Sequence, residues 1–191
     1  MFVLSSPSGG GKTTVIRRLR ARIPELIRSV SVTTRPKRRG ERPGRDYLFM
    51  SPARFEQMRR AGQLLECADV HGAWYGTPSR PILQRLARGQ DTILNIDVQG
   101  ARTIRRVLGR RAVLVFLLPP SMDVLKRRLM HRRTESRSVI AKRLAAARRE
   151  LACVSWYDYT VVNDRLDEAV RRLEAIIVAQ RCRVERQLRR A

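Results

Sequence analysis

"SSPSGGGKTTVIRRL" (residues 5–19) comes a few positions after the first methionine, and its reading decides the fold. Gly9, Gly10 and Gly11 stand between a short apolar run, "MFVLS" (1–5), and a helical pattern over residues 12–22. In that pattern Val15, Ile16 and Leu19 share one face. Glycines at such a junction let successive backbone N–H groups turn inward around an anion, and the helix start adds its positive end. Lys12 is placed to reach the outer phosphates, and Thr13 to offer a hydroxyl to Mg²⁺. Ser6 occupies the position where the general loop pattern opens with glycine, which weakens the bare match. The strand before and the helix after supply the context the motif requires. The stretch is therefore predicted to bind a nucleoside triphosphate through Ser6, Pro7, Ser8, Gly9, Gly10, Gly11, Lys12 and Thr13.

Outward from the loop, short apolar runs alternate with helical patterns. "DTILNID" (91–97) and "AVLVFLL" (112–118) read as buried strands, with a helix near 98–108 between them. "YTVVND" (159–164) reads as the last strand and leads into a long C-terminal helix. This alternation predicts an α/β fold with a parallel sheet covered on both faces. Two regions break the rhythm. Residues 31–81 are rich in turn residues and carry short alternating runs such as "YLFM" and "LLECADV", which predicts a small mixed insert. Its one clear helix starts at "SPARF", with Ser51 as N-cap and Pro52 in the first turn, and stops at Gly62. Residues 121–152 read as two arginine-dense helices joined through "HRRTES".

The length of 191 residues fits one domain. No apolar run approaches the roughly 18 residues that a membrane span needs, and "MFVLSS" is too short for a signal peptide. Cys67, Cys153 and Cys182 are widely spaced and odd in number, so neither a disulfide frame nor a metal cluster is expected. A reducing, cytoplasmic setting follows. The formal net charge is +24, nearly all of it arginine; lysine occurs only at 12, 37, 126 and 142. One reading of such an excess is a nucleic-acid binder; the plainer one is a GC-rich genome that writes arginine for lysine. The arginines are spread evenly and form no basic stripe, so no dedicated nucleic-acid partner is expected, although the charge allows non-specific binding.

The motifs "SVTTRPKR", "GRDYLF", "LLECADVHGAWYGT", "NIDVQGA", "RRTES" and "VIAKRL" occur in order and at near the spacing found in guanylate kinases. The chain resembles that family over essentially its whole length. The resemblance implies a P-loop kinase core formed by residues 1–30, 82–121 and 153–191, a GMP-binding region at 31–81 and a helical lid at 122–152. It implies transfer of a phosphoryl group from ATP to GMP, giving ADP and GDP, with Mg²⁺ as cofactor.

The acceptor chemistry is consistent with this. Guanine presents two donors side by side, N1–H and the 2-amino group, and a carboxylate accepts both. Adenine has an acceptor at N1 and lacks the 2-amino group. Glu66 in "LLECAD" matches the position similar enzymes use, and Ser31 and Thr77 match positions that address other edges of the base. Arg35 and Arg38 match the pair that holds the GMP phosphate, joined by the hydroxyls of Tyr47 and Tyr75; arginine's planar fork suits phosphate oxygens. Asp97 closes a predicted strand at its carboxyl end, where ligands of open α/β sheets collect. The resemblance gives it a role with a water of Mg²⁺ or with guanine. The lid resemblance yields Arg132 and Arg143 as catalytic arginines, with Arg128 behind them, and Asn163 matches a position near the adenine. Three positions depart from the family: Asn95 replaces an acid, Arg133 a glycine and Trp74 a tyrosine, the last read as packing. His71 and His131 are given no catalytic role. Three competing readings are a protein-binding scaffold of the same fold, a nucleic-acid binder, and a related phosphotransferase with another acceptor. Intact Lys12 and Thr13 disfavour the first, and Glu66 with "WYGT" disfavours the last.

Overall fold

In the computed structural model, residues 1–70, 72–131 and 137–187 are described. The opening run forms strand β1 (Phe2–Ser5), and the glycine loop leads into helix α1 (Lys12–Arg22). Then come a short strand β2 (Ile27–Arg28), β3 (Val32–Thr33), β4 (Leu48–Phe49), α2 (Pro52–Arg60), β5 (Leu64–Val70), β6 (Ala73–Pro78) and α3 (Ser79–Ala87). After these come β7 (Thr92–Asn95), α4 (Val98–Leu108), β8 (Val113–Leu118), α5 (Met122–Met130), α6 (Arg137–Leu151), β9 (Tyr159–Val162), α7 (Leu166–Arg181) and a short α8 (Val184–Gln187).

Five strands make one sheet in the order β2-β7-β1-β8-β9, with every pairing parallel. β1 is central, so the loop that follows it opens at the carboxyl edge of the sheet between two inner neighbours. Adjacent residues of β1 face opposite sides, and both sides are buried. Phe2 and Leu4 join Val15, Ile16 and Leu19 of α1 and Val170, Leu173 and Ile177 of α7. Val3 joins Ile104 and Leu108 of α4 and Ile82 of α3 on the other side. This double burial is why the parallel strands read as unbroken apolar runs rather than alternating ones.

The second sheet has the order β4-β3-β6-β5 and is mixed: β3 pairs β4 parallel, while β6 runs antiparallel to both β3 and β5. It agrees with the mixed character read for residues 31–81. Ser51 caps α2 as expected, its hydroxyl accepting from the Arg54 amide at 3.3 Å. Two elements were not anticipated. Strand β2 adds an outer edge to the parallel sheet, and α3 begins before residue 81, where only turn chemistry had been read. The α5–α6 pair keeps a small apolar core of its own, in which Leu125, Leu129 and Ala147 are buried. The "RRTES" segment, with Arg132 and Arg133, lies outside the described residues, as does His71.

Candidate active site

The loop after β1 is closed by its own lysine. Lys12 Nζ donates to the Ser6 carbonyl at 2.7 Å and to Ser6 Oγ at 3.2 Å. Ser6, standing in place of the usual glycine, thus gives the lysine a second acceptor. Its hydroxyl lies against Gly10, where an added Cβ would fall 2.4 Å from Ser6 Oγ. Gly11 has φ 95°, a left-handed conformation that L side chains rarely adopt. It also sits under Asn163, whose Nδ2 donates to the Gly10 carbonyl at 2.8 Å. Asn163, matched by resemblance to an adenine position, therefore braces the loop in this structure. Thr13 is exposed in the first turn of α1.

The α5–α6 pair contributes two arginines. Arg143 Nη1 donates to Ser8 Oγ at 2.8 Å, so α6 reaches the loop directly. Arg128 Nη2 donates to the Asn163 carbonyl at 3.0 Å, while its Nη1 is buried with no hydrogen-bond partner among the described residues. Phosphate or ribose oxygens would satisfy that donor. His131 lies exposed at the end of α5.

Across from the loop, a cavity of about 560 Å³ is lined by Ser6, Ser8, Lys12 and Arg143 on one side. Ser31, Arg35, Arg38, Tyr47, Glu66, Tyr75, Asn95 and Asp97 line the rest. These residues lie up to 137 positions apart along the chain (6 to 143), and the fold brings them round one space. Glu66 and Thr77 are direct partners across β5 and β6, just past an irregularity between Leu64 and Glu66. Thr77 Oγ1 donates to Glu66 Oε1 at 2.6 Å, and both residues are buried. Thr77 therefore holds the carboxylate. Asp97 caps α4: its Oδ1 accepts from the Gly100 amide at 2.9 Å.

Arg35 is preset by its neighbours. It donates from Nε to Tyr75 OH at 3.0 Å, its two terminal nitrogens grip Glu41 at 2.8 and 2.6 Å, and its guanidinium lies 5.1 Å from the Tyr47 ring centroid. Burial pushes the Glu41 carboxyl up, but hydrogen bonds from Arg35 and the Arg38 amide outweigh it and hold it below the ordinary range. Glu41 was missed in the sequence. So was Glu150, which lines the cavity from the end of α6. The one signal for Glu150 was its spacing of seven residues from Arg143, two turns on the same helical face.

The cavity's acids share a reluctance to ionise. Burial raises Glu66 to about 7, with Asp97 adding to the shift and the Thr77 bond opposing it. Burial likewise raises Glu150 to about 7 and pushes Asp97 up, while the Lys12 charge opposes both shifts. Among the described residues no group of three or more His, Cys, Asp or Glu converges as a metal cage. Thr13 and Asp97 carry hard oxygen donors of the type Mg²⁺ takes, that ion being commonly held by one or two protein oxygens and by substrate phosphates. Trp74 packs at the periphery, its ring 5.9 Å from Phe55 and 5.9 Å from the Arg59 guanidinium.

A parallel sheet with a phosphate-binding loop after its central strand, a second small sheet and a helical pair over the loop defines a P-loop kinase fold. The family model described as "Guanylate kinase" matches residues 1–180. The guanylate kinase of Carboxydothermus hydrogenoformans is 45% identical over 186 residues, covering 97% of this chain and 91% of the relative. That of Gloeobacter violaceus is 49% identical over 177 residues, covering 93% and 86%. The crystal structure of guanylate kinase from Anaplasma phagocytophilum superposes with a TM-score of 0.83 at 33% identity, covering 97% of this chain and 88% of that one. Shikimate kinase from Bacteroides thetaiotaomicron, 14% identical with a TM-score of 0.51 over 92% of this chain and 96% of that one, shares the fold alone. The chain belongs to the guanylate kinase family.

Proposed function

We propose that the protein transfers the γ-phosphoryl group of ATP to GMP in the cytoplasm, giving ADP and GDP. The observation that carries this reading is Glu66: a carboxylate only 4% exposed, held by Thr77, lining the same cavity as Lys12 and the Arg35–Tyr75 pair. A buried acceptor pair of this kind matches the N1–H and 2-amino donors of guanine. Arg35, Arg38, Tyr47 and Tyr75 would take the GMP phosphate, and Ser31 and Asp97 would complete the base contacts. In this division residues 31–81 bind GMP, 122–152 form the lid and the remainder is the core.

The nucleophile is a GMP phosphate oxygen, largely ionised at neutral pH because phosphate monoesters lose their second proton near pH 6. No general base is required. The difficulty is bringing two polyanions together. Lys12 leaves its Ser6 acceptors for the outer phosphates, and Arg143 swings from Ser8 to neutralise the charge that spreads in the transition state. By resemblance Arg132 joins it. Thr13 and Asp97 would hold Mg²⁺, whose charge would add to that neutralisation. Closure of α5 and α6 over the loop excludes water and limits wasteful hydrolysis.

An assay of ADP release with GMP, AMP, dTMP and ribose phosphates as acceptors tests the reading. GMP should exceed AMP by ~10⁴ in kcat/KM, the discrimination available when a wrong substrate leaves buried polar groups unpaired. Equal or faster turnover of another acceptor would overturn it. Lys12→Ala should abolish transfer with the fold intact, since Lys12 contacts loop oxygens and not the apolar core. Near-normal activity in that variant, with an unchanged circular dichroism spectrum, would remove the loop from the mechanism.

A further inference from the structure

The first turn of α4 contains a glycine that its backbone does not require. Gly100 lies outside the left-handed region, so an alanine would fit the backbone and would be the better helix former. The reason for glycine lies across the site. A Cβ on Gly100 would fall 2.5 Å from Glu66 Oε2 and 3.1 Å from Glu66 Cδ. The next nearest atom is Ile96 Cδ1 at 3.3 Å, the end of a flexible side chain. Glu66 has little room to retreat, because it is 4% exposed and its Oε1 is tied to Thr77 at 2.6 Å. Meanwhile the Gly100 amide donates to Asp97 Oδ1 at 2.9 Å. One residue therefore governs both acids on this side of the cavity, holding Asp97 by its N–H and seating Glu66 by having no side chain.

We infer that Gly100 is a specificity-determining positioning residue: its missing side chain forms the seat of Glu66 Oε2, and any side chain there turns the carboxylate away from the purine edge. The inference rests on the reading of Glu66 as the guanine acceptor. The bond to Asp97 survives a change to alanine, because it uses the backbone, so the effect runs through Glu66.

The test combines kinetics with stability in four proteins: wild type, Gly100→Ala, Glu66→Ala and the double variant. Gly100→Ala should lower kcat/KM for GMP by at least about tenfold, in the range for a mispositioned polar contact, with a much smaller change for AMP. In the wild-type background the substitution should also lower Tm. In the Glu66→Ala background the obstructing carboxylate is gone, and the same substitution should raise Tm through helix propensity. Should Gly100→Ala alone not fold, a folded double variant supports the inference and an equally unfolded one overturns it. An unchanged GMP-to-AMP ratio in Gly100→Ala, or an equal loss of Tm in both backgrounds, overturns it as well. Glu66→Gln separates the two levels of the argument. If it leaves GMP preference intact, the base reading falls and this inference with it; if it destroys the preference while Gly100→Ala behaves as wild type, only the present inference fails.

Discussion

Glu66 is the residue on which chemistry and electrostatics meet. Burial makes its charged form costly, and the carboxyl titrates at about 7 instead of near 4.5. The folded protein therefore holds a proton that the unfolded chain has lost. Glu66 contributes stability that is fully present below about pH 4.5 and is lost as pH rises through about 7. Glu66→Gln removes that dependence, so the Tm difference, variant minus wild type, should grow as pH rises across this window. Guanine needs the ionised form, which ties GMP binding to proton release. KM for GMP in wild type should fall from pH 6 to 8, and the Gln variant should lack the part due to Glu66; titration of the GMP phosphate itself is common to both. The variant should also lose at least about tenfold in kcat/KM for GMP, since a donor now opposes a guanine N–H at a cost of ~1–3 kcal/mol. AMP should lose less, because adenine N1 accepts from the new amide. Parallel pH profiles, or equal losses on both acceptors, would mean that Glu66 serves the fold alone. At this scale the sequence named the residues with motif positions, among them Glu66, Arg35 and Lys12. Glu41 and Glu150 escaped because an isolated acid beside many arginines carries no pattern. Only the folded geometry shows Glu41 gripping Arg35 and Glu150 lining the cavity.

At the scale of elements, α6 matters most. Its face presents Arg143 and Glu150 two turns apart, one bonded to Ser8 of the loop and the other lining the acceptor cavity. One helix thus contacts both the loop and the cavity. Arg143→Ala should lower kcat by about 10²-fold, the usual loss for removing one donor aimed at transition-state charge, while KM for GMP changes little. Steady-state kinetics showing only a raised KM would place Arg143 in ground-state docking. Most elements were legible because their periodicity is strong: β1, β7 and β8 are continuous apolar runs, and α4 runs from 98 to 108 as read. The two-residue strands β2 and β3 were too short to show any period, whereas β4 lies within the alternating run "YLFM". Helix α3 starts directly after Pro78 at the end of β6, where turn signals masked it. Likewise Asn163 was legible as a position but not as a brace, since its partner Gly10 is 153 residues away.

For the whole molecule the dominant fact is charge: 41 lysines and arginines against 17 acids, a net +24. Even with every acid paired, most arginines would have no counter-ion within the chain. One buried acid is already shared. Asp91, with a side chain only 3% exposed, accepts from Arg181 at 2.7 Å and also from Arg186, and this ties the C-terminal helix to the start of β7. Self-repulsion among the rest opposes the compact state. Salt acts on the two terms unequally. Exposed pairs such as Arg59–Glu56 have little to lose, and the buried Asp91 cluster is screened weakly. Repulsion acts over longer distances, and it fades as the screening length falls from about 30 Å at 0.01 M salt to about 8 Å at 0.15 M. Added NaCl should therefore stabilise the protein, raising Tm by about 2–4 °C for each kcal/mol of repulsion relieved. Chloride is the proper probe, because phosphate and sulfate would also bind the loop and stabilise by mass action. A thermal melt series in NaCl measures the effect. A flat or falling Tm would show that the arginines are neutralised by pairing within the fold, and the excess charge would then be irrelevant to its stability.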